Sequence, residues 1–429
     1  MGKVIQWVFI LFYPIFMIVY YLIMRGVNIN SIVMIPVFAL LSIKAIELAV
    51  RYSNNQFVRL LSIFLIYSLF TGFFYLVNNT PFSCYTGNLR QFVFPIMFAY
   101  LGCCYSSHES FCKWYLIACA FCFVIGFYLY TVGPSYYLSF ITEARSNLWY
   151  ESNSAYLEES NILEFTRFSS YFTSSYVISF FSIPALILSL KYSLRRDGPI
   201  SRSWCYVIAV VSFMAALLCQ QRIAIAFAIL VTFFYLFFSN KLTKEKKRSS
   251  LWLVLLIIIV IAVFVIERIA DLDWFVRISQ LVGSRFEAMS FSNAMSDRTG
   301  QYTSFDRATG LSYIFGLGLG SCGHLAGAFG LKAIHDGEFV KLFYEFGFIG
   351  CGILLILVLT TLMRGMKYFK RFYPEVLIIA FYLAAGLGSD SLSFFVYSAM
   401  FWFSMGRIWN TQLPTNDCIE QNHLKSYGY

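Results

Sequence analysis

Charge is in short supply in this sequence. Asp, Glu, Lys and Arg make up 13% of its 429 residues, against 59% hydrophobic ones. So little polar surface cannot clothe a soluble fold of this length, which leaves a polytopic membrane protein. No internal repeat, low-complexity tract or second soluble domain interrupts the chain, so residues 1–429 read as a single transmembrane domain. No small-residue cleavage site follows the first apolar segment, which therefore reads as a retained span and not a removed signal. Histidine is rare, with four in all, and His324 and His335 have no cysteine partner nearby, so a zinc site is unsupported. The glycine-rich "FGLGLGSCG" follows no expected strand and lacks a P-loop Lys-Ser/Thr. That argues against nucleotide binding and leaves a flexible turn. The one Asp-x-Asp triplet, Asp271 to Asp273, is too common a pattern to indicate a metal.

What is abundant is aromatic and basic. There are 47 Phe and 30 Tyr, and the net charge is +10. A basic balance suits nucleic acid, but here the Lys and Arg residues sit in short runs between apolar segments, as topology determinants do. Nucleic acid is therefore no partner. Most of the 11 cysteines fall inside apolar stretches. Cys119-Ala-Phe-Cys122 matches C-x-x-C, but it lies within a span with no His or Asp beside it, and reads as two structural thiols.

Apolar segments near 4–24, 31–50, 57–77, 89–105, 111–131, 171–190, 203–219, 222–238, 251–266, 338–363, 375–390 and 394–409 each approach the roughly 20 residues a membrane helix needs. Basic clusters at Lys191–Arg202, Lys241–Arg248 and Arg364–Arg371 are all cytoplasmic if about twelve helices span the membrane with both termini inside. Two long segments then face outward: an acidic, aromatic loop over 132–170 and a large loop over 267–337. In the second, Trp274, Ile278, Leu281, Val282 and Arg285 have the spacing of an amphipathic surface helix. The expected class is all-α and polytopic, with a large helical outer loop between the ninth and tenth spans.

Ionisable residues crowd the stretch "AIHDGEFVKLFYEFGFIG". A helix beginning near Asp336 puts Glu338, Lys341 and Glu345 on one face, with His335 at its outer end. Charges at membrane depth persist when they face protein or a wet cavity. The stripe is thus either the wall of a hydrated, outward-opening cleft, or a local Glu338–Lys341 pair with Glu345 bound to backbone. Arginines gather at the same level. Arg222 opens a span near the outer boundary, where it either snorkels to headgroups or offers a fixed cation to a phosphate. Arg167 precedes a hydroxyl-rich helix start, and Arg90 starts another outer helix end. Arg298 and Arg307 fall on opposite faces of any continuous helix, and Asp306 is at hand to neutralise Arg307. Each alone reads as a surface charge; the inference rests on several converging.

"SDRTGQYTSFDRATGLSYIFGLGLG", then His335, then "EFGFIG" with Glu345, Gly347 and Gly350, resembles the O-antigen polymerase and ligase superfamily of bacterial envelope glycosyltransferases. "TRFSSYFTSS" resembles that family's arginine-led start of a middle span. The resemblance covers nearly the whole chain. It implies a multi-span, GT-C-like fold in the bacterial inner membrane with its site facing the periplasm. It also implies a transferase that uses neither metal nor cofactor and takes its donor glycan from undecaprenyl pyrophosphate. Carried onto this chain, the resemblance makes Arg167, Arg222 and Arg298 pyrophosphate contacts, with Arg90, Tyr302 and Asp336 as further substrate contacts. His335 becomes the base and Glu345 a group that orients the helix or the imidazole. The family has Asn where this chain has Asp336; a carboxylate there either raises the histidine pKa or competes for its role.

Such chemistry fits the residues. A pyrophosphate leaving group gathers negative charge that guanidinium groups stabilise, and an imidazole suits removal of the sugar hydroxyl proton. The favoured expectation is a polymerase joining lipid-linked repeat units, with a polysaccharide chain-length regulator as partner alongside membrane lipid. The rivals are a ligase that moves finished glycan onto lipid A core and, from another class, a transporter or flippase of lipid-linked oligosaccharide. A transporter usually carries paired repeats and midplane charges, and neither is found in the sequence.

Overall fold

The computed structural model describes residues 2–27, 29–76, 80–104, 108–132, 168–172, 174–195, 198–219, 221–242, 310–323, 326–327, 329–331, 333–334 and 337–410. Nearly all of the expected outer loop at 132–170, most of that at 267–337 and the ninth apolar segment, 251–266, lie outside them. Every regular element among the described residues is helical. The helices are α1 (Gly2–Ile10), α2 (Phe12–Met24), α3 (Asn30–Arg51), α4 (Gln56–Thr71), α5 (Phe82–Asn88), α6 (Phe94–Cys104), α7 (His108–Val132), α8 (Ser175–Ser193), α9 (Arg202–Leu218) and α10 (Arg222–Leu242). Then come α11 (Gly310–Phe315), α12 (Glu338–Lys367), α13 (Phe369–Ala385) and α14 (Phe395–Ile408).

Apart from α11, which lies in the expected outer loop at 267–337, these helices fall on the expected apolar segments, with two differences. The first segment is not one rod: α1 and α2 bend by 62° at Leu11. Pro14 explains the break, since it has no N–H for Ile10 and its ring would strike that carbonyl, while the first turn of a new helix tolerates it. The fourth segment starts early, at Phe82, and passes through a π-helical turn, Leu89–Val93, just before Pro95. The wider turn accommodates the N–H that Pro95 cannot supply.

Among the described residues five helices are long and apolar enough to cross a membrane, or six if the bent pair counts as one span. Their outer faces support the same reading. On α3, Met34, Val37, Leu41, Ala45 and Leu48 are buried, while Ile32, Ile35, Ile43, Ile46 and Val50 point outward, with Ile32 74% exposed. A helix of a soluble protein would be polar on that second face.

At the centre, α8 and α14 are sheathed on all sides; every residue of α14 is buried. The backbones of α6 and α14 touch. A Cβ on Gly406 would meet the Ala99 carbonyl at 2.0 Å, and one on Gly102 would meet that of Phe403 at 2.4 Å. Small residues permit this approach, which lipid-embedded helices use to gain dispersion contacts. Aromatic rings fill the rest, as where Phe9 stacks on Phe111 at 4.6 Å and Phe180 on Tyr397 at 4.3 Å. Buried tyrosine hydroxyls find helix carbonyls: Tyr13 donates to Val396 and Tyr115 to Phe181. None of the described cysteines is in a disulfide, and all but Cys351 are buried.

Contacts sort the helix ends into two groups, as expected of helices that alternate in direction. At one end Thr71, Cys84, Glu345 and Gly316–Gly323 gather, and Asp390 meets Lys341 there. At the other, Phe57 stacks on Trp409, and Lys191, Glu375 and Arg407 meet. These are called below the acidic and the basic end.

Candidate functional site

The acidic end is built on the first turns of α12. Helical spacing brings Lys341 Nζ to 3.6 Å from Glu338 Oε1, as the sequence leads one to expect. The same ammonium lies 3.2 Å from Asp390 Oδ1, contributed by the connection between α13 and α14. Glu338 also accepts the Ser393 hydroxyl and the Leu392 N–H, the latter at 3.0 Å. Its own N–H donates to the Gly386 carbonyl. The start of α12 is thus sewn to residues 386–393. Glu338 is 0% and Lys341 and Glu345 1% exposed. Of the two readings of this stripe, the structure has the local pair and not an open, wet wall, because Asp390 and its connection cover it. One cation between two carboxylates is a tightly committed arrangement. Removing one partner of a buried pair typically costs about 3–5 kcal/mol.

Two turns further, α12 is interrupted. Gly347 sits at φ 63°, ψ −170°, a backbone conformation that essentially only glycine adopts. The interruption leaves the carbonyls of Tyr344 and Glu345 facing the glycine-rich turn, where they accept N–H bonds from Leu317 at 2.7 Å and Gly318 at 3.1 Å. Tyr67 of α4 reaches the same junction; its hydroxyl lies 2.9 Å from both the Phe315 and the Phe346 carbonyl oxygens. Glycine is a steric requirement on both sides. A Cβ on Gly316 would fall 2.2 Å from the Glu345 oxygen, and one on Gly347 2.5 Å from Gly316 N. Gly318 and Gly320 press similarly on the carbonyls of Thr71 and Cys84. The turn expected to be flexible is therefore docked on three elements.

The Glu345 carboxylate closes the unit. Its Oε1 accepts the Cys322 N–H at 3.3 Å, and the Cys322 carbonyl in turn accepts the N–H of Ile334 at 2.9 Å. Glu345 so holds the backbone that leads to residue 335. This is the backbone-binding role weighed for it from sequence, and it is compatible with orienting that segment.

Arg90 stands on the π turn, exposed, with its guanidinium 5.9 Å from the Phe395 ring. Arg222 is the exposed first residue of α10, following Gln221, whose side chain donates to Ser175 at the start of α8. The π turn packs on α4, α5, α6 and α14, whereas α10 packs on α8, α9 and α13. The two arginines thus belong to different helix groups. Arg167, Arg298, Tyr302, His335 and Asp336 lie outside the described residues, as do Asp306 and Arg307.

Sequence reasoning missed three participants. Asp390 and Ser393 complete the cluster from a connection with no motif of its own. Ser170, just after Arg167, has φ 54°, the one positive value on a non-glycine among the described residues. Its hydroxyl donates to the Cys122 carbonyl at 2.7 Å over Gly126, and Phe168 N–H donates to Leu218, which pins this segment to α7 and α9. Gly126 inside an otherwise bulky span was the available signal. Comparison of the chain with family models and with curated proteins finds no match to either.

Proposed function

We propose that the chain is a glycosyltransferase of the bacterial inner membrane that joins undecaprenyl-pyrophosphate-linked oligosaccharide repeat units at the periplasmic face, an O-antigen polymerase of about twelve spans with a GT-C-like fold. One observation carries the reading furthest. The two motifs on which the resemblance rests, the glycine-rich turn and Glu345–Gly347–Gly350, interlock through Leu317, Gly318 and Cys322. Their union also places a buried carboxylate under the segment that runs to His335.

In this reading the acceptor sugar hydroxyl attacks the anomeric carbon of the growing glycan. The new glycosidic C–O bond forms as the bond to undecaprenyl pyrophosphate breaks, and the leaving group keeps the electron pair. His335 takes the hydroxyl proton. Arg167, Arg222 and Arg298 neutralise the pyrophosphate, their planar forks binding its oxygens in pairs, and Arg90 is a further substrate contact. Tyr302 and Asp336 contact the sugars. Glu345 acts as a positioning residue through the Cys322 backbone. The test is incubation of the purified chain with lipid-linked repeat units. A ladder of polymer supports the proposal. Transfer only onto core lipid replaces it with a ligase, and transbilayer movement without bond formation replaces it with transport.

A further inference from the structure

The basic end holds a second buried polar cluster that the transfer reaction does not use. Glu375 of α13 accepts Lys191 Nζ of α8 at 3.3 Å and Arg407 Nε of α14 at 2.7 Å, both on Oε1. His108, the first residue of α7, is within electrostatic reach of all three. The four side chains are 2–7% exposed.

The hydrogen bonding is one-sided. The Asn410 amide nitrogen donates to the Gly102 carbonyl at 3.2 Å and contacts His108 Nε2. Nε2 is then an acceptor, which puts the proton of the neutral ring on Nδ1. Among the described residues, Nδ1 and Arg407 Nη1 are buried without a hydrogen-bond partner, and so is Glu375 Oε2. Two donors and one acceptor are left unanswered by the described residues in one place, which native interiors rarely tolerate. Two cations face one carboxylate, so the cluster is positive by one charge. Among the described residues relief is not at hand: Glu109 is taken by Arg195 at 2.9 Å, and Arg371 adds further positive potential.

We propose that this cluster is an internal binding site for a small monovalent anion, held by Arg407, His108 and Lys191 beside Glu375. The net charge repels a metal cation and suits a single negative charge. The donors suit chloride. A protonated oxyanion, hydrogencarbonate or dihydrogen phosphate, would in addition give its O–H to Glu375 Oε2. The site lies at the opposite end of α14 from Asp390 and does not depend on the catalytic reading.

The test uses the full chain, purified in detergent and held in gluconate at constant ionic strength. Chloride, hydrogencarbonate and phosphate near pH 6 are titrated separately while the unfolding temperature is followed. The expected result is a saturable rise with at least one of them, and the anion that produces it identifies the source. Arg407→Met and Lys191→Met should weaken the apparent affinity at least about tenfold, and His108→Phe, which removes a donor but no charge, by less. Should the charge variants fail to fold, equilibrium binding of the same anions to the unaltered protein decides alone. A flat response to all three anions, or an unsaturable one shared with gluconate, overturns the site and leaves ordinary hydration of the cluster.

Discussion

Gly347→Ala tests the interlocked turn most directly. The alanine would have to hold φ 63° with ψ −170°, which costs of order 1–3 kcal/mol. Its Cβ would also stand 2.5 Å from Gly316 N and from the Ile314 carbonyl oxygen, so the turn must move away. Departure of the turn breaks the Leu317 and Gly318 hydrogen bonds to α12, worth roughly 0.5–1.5 kcal/mol each. Those bonds oppose departure in both proteins, so the strain of about 1–3 kcal/mol alone sets the shift, about 5- to 150-fold toward the undocked turn. Cys322 reports on it, since its thiol is in no disulfide and is 0% exposed when the turn is docked. Site-resolved maleimide labelling of the folded protein should therefore rise at Cys322 and not at Cys119, deep in α7. Gly352→Ala is the control. It lies in the same helix with open space around its Cβ, so alanine should be neutral or mildly stabilising. Unchanged protection of Cys322 in Gly347→Ala would show that the turn does not depend on this glycine and would refute the steric reasoning.

Three further predictions use the same logic. Tyr67→Phe removes the hydroxyl shared by Phe315 and Phe346; the turn should loosen by about 1–3 kcal/mol, seen as faster Cys322 labelling with α12 intact. Asp390→Ala leaves Lys341 with Glu338 alone and should lower stability by about 3–5 kcal/mol in thermal unfolding; additivity with Lys341→Met would deny that the two residues are coupled. Arg298→Ala and His335→Ala should each abolish polymer without loss of protein from the membrane, and full polymer from either variant removes that residue from the mechanism.

How far the sequence could be read depended on the range of the interaction. Helices announced themselves because each apolar run is a local property, and α12 began where its polar stripe does. Glu338 and Lys341 were legible as a pair since three residues along a helix make neighbours. Asp390 was not, because nothing near it in sequence says that its connection returns over the start of α12. The bend at Leu11 was written in Pro14, but a run of apolar residues masked it. The glycine-rich turn misled for a different reason. Glycine permits mobility, and it equally permits backbone to press on backbone; only the partner carbonyls of Glu345, Thr71 and Cys84 decide between these.

Length explains how α12 can carry so many charges. Its 30 residues make about 45 Å of helix, against roughly 30 Å of hydrocarbon. On the proposed topology, which puts Arg364 and Lys367 in the inner headgroup layer, counting about 20 residues back reaches the neighbourhood of Tyr344. Glu338 and Lys341 then stand above the hydrocarbon, and Glu345 and the Gly347 break lie at its outer boundary. A break in helical hydrogen bonding is tolerated there because protein, not lipid, answers the freed carbonyls: Leu317 and Gly318 supply the donors. That boundary is also where the pyrophosphate of a polyprenyl lipid would rest, its tail in hydrocarbon and its sugars in water. The segment that runs to His335 is tied down at this level by Glu345. A chain that moves glycan from one such lipid to another needs its rigid, ionisable elements at this depth and nowhere deeper.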